Sequence, residues 1–206
     1  MRTLFTGTHS QNPDYIHTPL IELVALDDRS ELYEAIRSLT ISDTLLFTSR
    51  YAVRFWYEAM QEIRATWGEQ RIVSIGRVTT KTLQESSATH IEQTEKDDSY
   101  GIIEHFKVFP PQGRIICPRS ERALDIIPKG LQELGFTFYP ITAYRNKMPL
   151  RPIKVNLEEI DSIIFTSPST IDHFIQLYGS LPPDKIYITR GAITEQYLNQ
   201  RRYEKI

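Results

Sequence analysis

The chain has 206 residues and is short of most features that would fix a chemistry at once. Its single cysteine, Cys117, excludes an internal disulfide. The five histidines (His9, His17, His90, His105, His173) show no metal-ligand spacing, and none pairs with a serine or with Cys117 as a nucleophile couple. Charge of one sign is also scarce. Lys plus Arg number 24 against 26 Asp plus Glu, a net of -2, so the broad basic field that non-specific nucleic-acid binding needs is missing. An anionic ligand must then be held by local donors. No run approaches about eighteen apolar residues, which excludes an expected membrane helix. The opening stretch MRTLFTGTHSQ holds too few apolar residues before Gly7 for a signal-peptide core, so the protein reads as cytoplasmic. There is no GxGxxG and no Walker loop, and nucleotide binding has no support.

What is present is an ordinary globular balance, 40% hydrophobic and 24% charged, at a length that suits one large or two small α/β domains. Short apolar runs alternate with amphipathic stretches. Strands are expected at Leu4–Thr6, 44–48, 71–75, 114–117, 136–141, 162–166 and 185–189. Helices are expected at 51–65, 78–85, 123–134, 170–178 and 192–201. Gly135 stops the third helix. Strands that each feed a helix imply right-handed crossovers and parallel sheets with helices on both faces. The mixed-charge stretch Glu92–Asp98 reads as a solvated loop, and Cys117, in an apolar strand, reads as core.

An internal echo organises the rest. Leu46-Phe-Thr-Ser-Arg50 recurs as Ile164-Phe-Thr-Ser-Pro168, and Gly76-Arg-Val-Thr79 recurs as Gly191-Ala-Ile-Thr194. Thr48 to Thr166 spans 118 positions and Gly76 to Gly191 spans 115, so two similar parallel-sheet α/β lobes are the simplest account. The extended passages Pro19–Ala25 and Tyr139–Tyr144, the second followed by the proline-bearing stretch Asn146–Pro152, read as a two-stranded connector. The first lobe is then discontinuous, residues 1–24 with 145–206, and the second is 25–144.

Each FTS and each GxxT falls where a parallel strand ends and a helix begins, the place where open α/β sheets receive ligands. Unpaired amides, the helix dipole and a hydroxyl together suit a carboxylate or phosphate. Such Ser and Thr residues also serve simply as N-caps, and both readings stand for any one of them. Gly76 and Gly191 either permit a tight turn or let a ligand approach the backbone. Arg50, Arg77, Arg119, Arg122 and Arg190 follow strands closely; their guanidinium forks suit carboxylates, or they solvate helix starts. Tyr144, in the connector, either faces a gap between lobes as a proton donor or packs.

Pro19-Leu-Ile-Glu22, Leu46-Phe-Thr-Ser-Arg-Tyr-Ala-Val53, Ile75-Gly-Arg-Val-Thr79, Ile127-Pro-Lys-Gly-Leu-Gln-Glu-Leu-Gly135 leading to Ile141-Thr-Ala-Tyr144, and Phe165-Thr-Ser-Pro-Ser-Thr170 occur in the order of a known family. Through them the chain resembles the uroporphyrinogen-III synthases of tetrapyrrole (haem) biosynthesis. The resemblance implies a bilobal α/β fold with a two-stranded connector, and a lyase that needs no metal or organic cofactor. Its substrate would be hydroxymethylbilane, a linear tetrapyrrole polycarboxylate that loses its hydroxyl and closes with inversion of ring D. It implies a monomer without nucleic-acid or membrane partners. Matched by position, Thr48, Ser49 and Thr79 are the hydroxyls of the second lobe, and Ser167 and Thr194 their counterparts in the first. Arg50, Gly76 and Gly191 join them in binding substrate, and Tyr144 matches the tyrosine that assists loss of the hydroxyl.

The chain also departs from the pattern. Residues 7–18 replace the helix usual between the first strand and Pro19, Arg190 stands where an apolar residue usually precedes the glycine, and the chain stops at Ile206, soon after the last helix. All three departures fall in the first lobe. They keep open an alternative of another class, a non-catalytic homologue acting as a tetrapyrrole- or anion-binding regulatory protein.

Overall fold

Apolar runs such as Thr44-Leu-Leu-Phe47 are buried at every position, which only a strand covered on both faces achieves, and they pair in parallel. The computed structural model describes residues 1–203. The first elements are β1 (Thr3–Phe5), β2 (Ile16–His17), β3 (Glu22–Ala25), α1 (Ser30–Arg37), β4 (Thr44–Phe47) and α2 (Arg50–Glu62). There follow β5 (Arg71–Ser74), α3 (Gly76–Glu85), β6 (Ile91–Gln93), α4 (Ser99–Val108), β7 (Ile115–Ser120) and α5 (Ile126–Glu133). The last are β8 (Phe138–Lys147), β9 (Ser162–Phe165), α6 (Pro168–Tyr178), β10 (Ile186–Thr189) and α7 (Ala192–Tyr203). The chain end at Ile206 lies outside the described residues.

The chain divides into two compact units, Met1–Leu23 with Asn146–Ile206, and Val24–Arg145. We call them unit 1 and unit 2. It passes from one to the other in β3 and β8, which are neighbours in a six-stranded sheet ordered β3-β8-β7-β4-β5-β6. From β4 the chain steps to β5 and β6 on one side and returns to β7 and β8 on the other, so the order reverses between β4 and β7. A second sheet, β10-β9-β1-β2, is parallel throughout and reverses between β1 and β9.

In unit 2, one face of the sheet buries Leu46, Val73, Ile115 and Cys117 under Ile102 and Phe106 of α4 and Leu131 of α5. On α2, Ala52, Val53, Trp56, Ala59 and Met60 form the buried stripe expected of an amphipathic helix. Three elements of unit 2, α1, β6 and α4, and β2 of unit 1 exceed the sequence expectations. The stretch read as a solvated loop is corrected in part. Ile91–Gln93 is an edge strand, and the Glu92 carboxylate receives Arg71 at 2.9 and 2.7 Å.

Unit 1 corrects the expectation of helices on both faces. Leu4, Ile163 and Phe165 share a face with Ile171 and Phe174 of α6 and Leu198 of α7. The opposite face carries Phe5, Ile164 and Ile188 by register, and neither α6 nor α7 contributes to it. Phe5 is nevertheless 1% exposed, because Tyr15 stacks on it at 6.2 Å, His17 lies at 5.6 Å and the Arg190 guanidinium at 5.0 Å. Residues 6–15 hold no helix, so these side chains cover the ring instead. Toward the edge the cover ends, and Ile186 and Ile188 are 56% and 39% exposed.

The register counterpart of Ile188 is Val73, which is fully buried. Val73→Ala should therefore cost roughly 2 kcal/mol, and Ile188→Ala under about 1 kcal/mol, although the latter removes more carbon. Urea denaturation of the two variants checks this; equal losses would mean that a cover exists over Ile188.

At the amino edge of the six-stranded sheet, Asp43 is 2% exposed and accepts from Arg114 Nε at 2.9 Å, Arg114 Nη2 at 2.7 Å and the Thr40 amide at 2.8 Å. The Arg114 guanidinium holds the Asp43 carboxyl below the usual range, at about 2. A lowered folded-state value adds stability that is complete above the unfolded-state value and is lost as pH falls from about 4 to about 2. About 2 kcal/mol should disappear over that window. Asp43→Asn should remove at least as much at pH 7 and flatten the acid limb; parallel pH–stability curves for the two proteins would contradict the assignment.

Candidate active site

The register of the central strands decides what meets at each sheet edge. Phe47 lies opposite Ser74 in unit 2, and Phe165 lies opposite Thr189 in unit 1. Just past the strands, Ile75 donates its amide to the Phe47 carbonyl at 3.0 Å, and Arg190 donates to the Phe165 carbonyl at 3.0 Å. Thr48-Ser49 therefore leaves its sheet level with Gly76, as Thr166-Ser167 does with Gly191. Both glycines are left-handed, φ 72° and 100°, a conformation that turns the chain directly from strand into helix and that other residues adopt only with strain. The echo in the sequence is thus the same strand-to-helix junction built twice.

In unit 2 this junction is joined by Tyr144. Ser120 on β7 pairs with Tyr144 on β8 past a bulge at Arg119/Ser120, which carries the tyrosine to the carboxyl edge. Ser49 is the N-cap of α2, and its hydroxyl accepts from the Ala52 amide at 3.1 Å. The same oxygen lies 3.1 Å from Tyr144 Oη. Phe55 stacks on the Tyr144 ring, centroids 5.1 Å apart and planes 15° apart, with Tyr51 tilted at 6.5 Å. Arg50 completes the group, its guanidinium 4.9 Å above the Tyr51 ring and donating to the Tyr51 hydroxyl at 3.0 Å.

Tyr144 is 7% exposed, and burial raises its pKa, while the Ser49 hydrogen bond pulls it partly back. The phenol keeps its proton at neutral pH. With Ser49 donating to Oη, the phenolic hydrogen is free for another acceptor.

The remaining residues of unit 2 are placed less simply. Thr48 is half-buried, but Thr79 on α3 is 5% exposed. Asp97 faces the start of α3, and a Cβ at Gly76 would stand 3.4 Å from its carboxylate. Arg119 is engaged with the Leu124 carbonyl at 2.6 Å. Burial pushes the Cys117 thiol up to about 12, which leaves it inert.

In unit 1, Ser167 is the N-cap of α6, and its amide donates to Thr170 Oγ1 at 3.3 Å. Ser167 and Thr170 together form a capping box at this helix start. Thr194 on α7 is 3% exposed, with a long 3.5 Å contact to the Arg190 carbonyl. Around Gly191 a Cβ would meet nothing within 4 Å, so this junction, unlike that at Gly76, is open.

The structure thus gathers Ser49, Arg50 and Tyr144 in unit 2, level with Thr48 and Gly76, and gathers Ser167 and Gly191 in unit 1. Phe55 and Asp97 were not foreseen. The Phe55 signal was available, because Tyr51 and Phe55 are four apart and share a helix face directly after the FTS motif. Asp97 lies in the stretch read as a loop, where sequence carries no such signal.

Residues 12–206 match the family profile described as Uroporphyrinogen-III synthase HemD. A curated relative from Methanothermobacter thermautotrophicus, named provisionally as a uroporphyrinogen-III synthase, is 22% identical over 181 residues, covering 84% of this chain and 71% of that one. A crystal structure of a mutant uroporphyrinogen III synthase from the extremely thermophilic bacterium Thermus thermophilus superposes with a TM-score of 0.64 at 15% identity, covering 98% of this chain and 89% of that one. The synthetase from Helicobacter pylori 26695 gives 0.62 at 20% identity, covering 98% and 90%. Two sheets in the same mixed, parallel-dominated α/β arrangement and a profile match over nearly the whole length agree: the chain belongs to the uroporphyrinogen-III synthase family.

Proposed function

We propose that the protein is a uroporphyrinogen-III synthase, cyclising hydroxymethylbilane with inversion of ring D, and that Tyr144 assists departure of the hydroxyl. The observation that carries this reading is the buried Tyr144 Oη, 3.1 Å from the Ser49 hydroxyl at the start of α2. A phenol whose pKa lies above its ordinary value donates a hydrogen bond readily but parts with its proton reluctantly. Tyr144 therefore stabilises the leaving hydroxyl as it becomes water and contributes a modest share of the acceleration. Holding the linear chain in the geometry of the inverted product supplies the rest, since closure without inversion competes. Thr48, Ser49, Arg50 and Gly76 in unit 2, with Ser167 and Gly191 in unit 1, are the groups that receive carboxylates. Thr79 and Thr194, both buried, act by setting the helix starts.

A second reading, binding of a tetrapyrrole without turnover, is favoured by one observation, the helix-free residues 6–15 of unit 1. Product analysis separates the two. With hydroxymethylbilane supplied enzymatically, Tyr144→Phe should lower kcat about 100-fold with KM and Tm nearly unchanged; unchanged turnover would reject the role. Because the Tyr144 pKa is raised, its active, protonated form persists below the folded-state value. The group should therefore leave kcat flat from pH 6 to about 9 and depress it only above about 10. A fall in kcat centred near neutrality in the wild type that is absent in Tyr144→Phe would contradict that sign.

A further inference from the structure

The duplication leaves one place in unit 1 unfilled. The shared junction makes Ile186–Thr189 of β10 equivalent to Arg71–Ser74 of β5, since Thr189 stands opposite Phe165 as Ser74 stands opposite Phe47. The far side of β5 is taken by β6, which pairs Ile72 with Ile91, Val73 with Glu92 and Ser74 with Gln93. By contrast β10 ends its sheet, and among the described residues no strand takes its far side. Ile186 donates its amide to the Asp161 carbonyl and Arg190 to the Phe165 carbonyl, at 3.0 Å each, so the even-numbered residues direct their backbone groups at β9. Those of Tyr187 and Thr189 face outward, as alternation along a strand requires.

An open edge is a template for pairing unless it is blunted. The other three edges are blunted. Of these, β2 has two residues and is soon followed by Pro19, β3 opens on the exposed Glu22, and β6 carries the exposed Glu92 and Gln93. In β10 the run Ile-Tyr-Ile-Thr holds no charge and no proline, and its residue types favour strands. Ile186 and Ile188 are 56% and 39% exposed, on the face that neither α6 nor α7 covers.

The edge is also complementary to itself. A two-fold axis through Tyr187 sets two β10 strands antiparallel, with Tyr187 against Tyr187 and Lys185 against Thr189 as the hydrogen-bonded pairs. Ile186 then faces Ile188 of the other copy in a non-hydrogen-bonded pair, where side chains come closest. The exposed Asp184 before one strand arrives beside the exposed Arg190 after the other. Slipping one strand by two residues either way sets Ile188 against Asp184 or Ile186 against Arg190, so this register matches charge with charge and apolar with apolar.

We propose that β10 is a homodimer interface: two copies join their unit 1 sheets edge to edge through antiparallel β10 strands, the second copy standing where β6 stands beside β5. The dimer departs from the monomer that the family resemblance implies, and it does not rest on the synthase reading. A ladder this short buries less than the roughly 1,200 Å² of a standard interface, so the dissociation constant is on the order of 10–100 µM. Pairing consumes the open edge, and association stops at two copies.

Sedimentation equilibrium from about 2 µM to about 500 µM tests this on wild type and on two variants of the exposed isoleucines. Wild type should pass from monomer to dimer across that range. Ile186→Lys with Ile188→Lys sets like charges opposite one another and should raise the dissociation constant roughly tenfold or more, with Tm held because neither side chain is buried. Ile186→Lys with Ile188→Glu sets opposite charges against each other in both pairs and should recover most of that loss. Wild type still monomeric at about 500 µM overturns the interface however the variants fold, as do assemblies that grow past the dimer. A doubly lysine-substituted protein that dimerises like wild type, or a charge-paired variant that does no better than it, overturns the proposal equally.

Discussion

Parallel pairing in register is the constraint from which the rest follows. Because Phe47 sits opposite Ser74 and Phe165 opposite Thr189, the hydroxyl-bearing turn after one strand comes level with the glycine turn after its neighbour. A slip of one residue would turn every side chain of the moved strand to the other face and would separate the two turns. The edge where strands end is also where helices begin, so register alone collects amides and hydroxyls at one rim. Tyr144 arrives at that rim by the same logic, through β8 and the bulge opposite it.

Two junctions of one design are finished differently. In unit 2 the face behind the junction is sealed by α4 and α5, the start of α3 is faced by Asp97, and a tyrosine is clamped between an aromatic stack and a serine. In unit 1 no helix seals the corresponding face, Phe5 is covered by Tyr15, His17 and Arg190, and the glycine turn is open. Unit 2 thus carries the group able to donate a proton, and unit 1 carries an exposed guanidinium, Arg190, over Phe5. The ion pair of Asp43 with Arg114 belongs to neither role; at the opposite edge of the six-stranded sheet it stabilises the fold.

Much of this was legible in the residues. Buried parallel strands announce themselves as apolar runs, and β4, β5, β7, β9 and β10 lie within three residues of their expected limits. The duplicated FTS and GxxT motifs marked the junctions because φ-positive glycines and N-caps are local requirements written in residue type. Elements held by tertiary contact were not legible. The single isoleucine of Ile91-Glu-Gln93 gives no alternation, and that strand exists because β5 offers it an edge and Arg71 binds Glu92. The shortened crossover at residues 7–18 was visible as a gap, but its remedy was not. Nothing local says that an arginine after a strand will lie over a phenylalanine from another strand.

The central claim is that these two junctions serve a cyclisation that must choose between two ring closures. The most direct measurement supplies hydroxymethylbilane in situ to the wild-type protein and resolves the isomers of the cyclic product. The account predicts type III in clear excess over type I at catalytic protein concentrations. Type I alone, formed at the rate seen without protein, would contradict it.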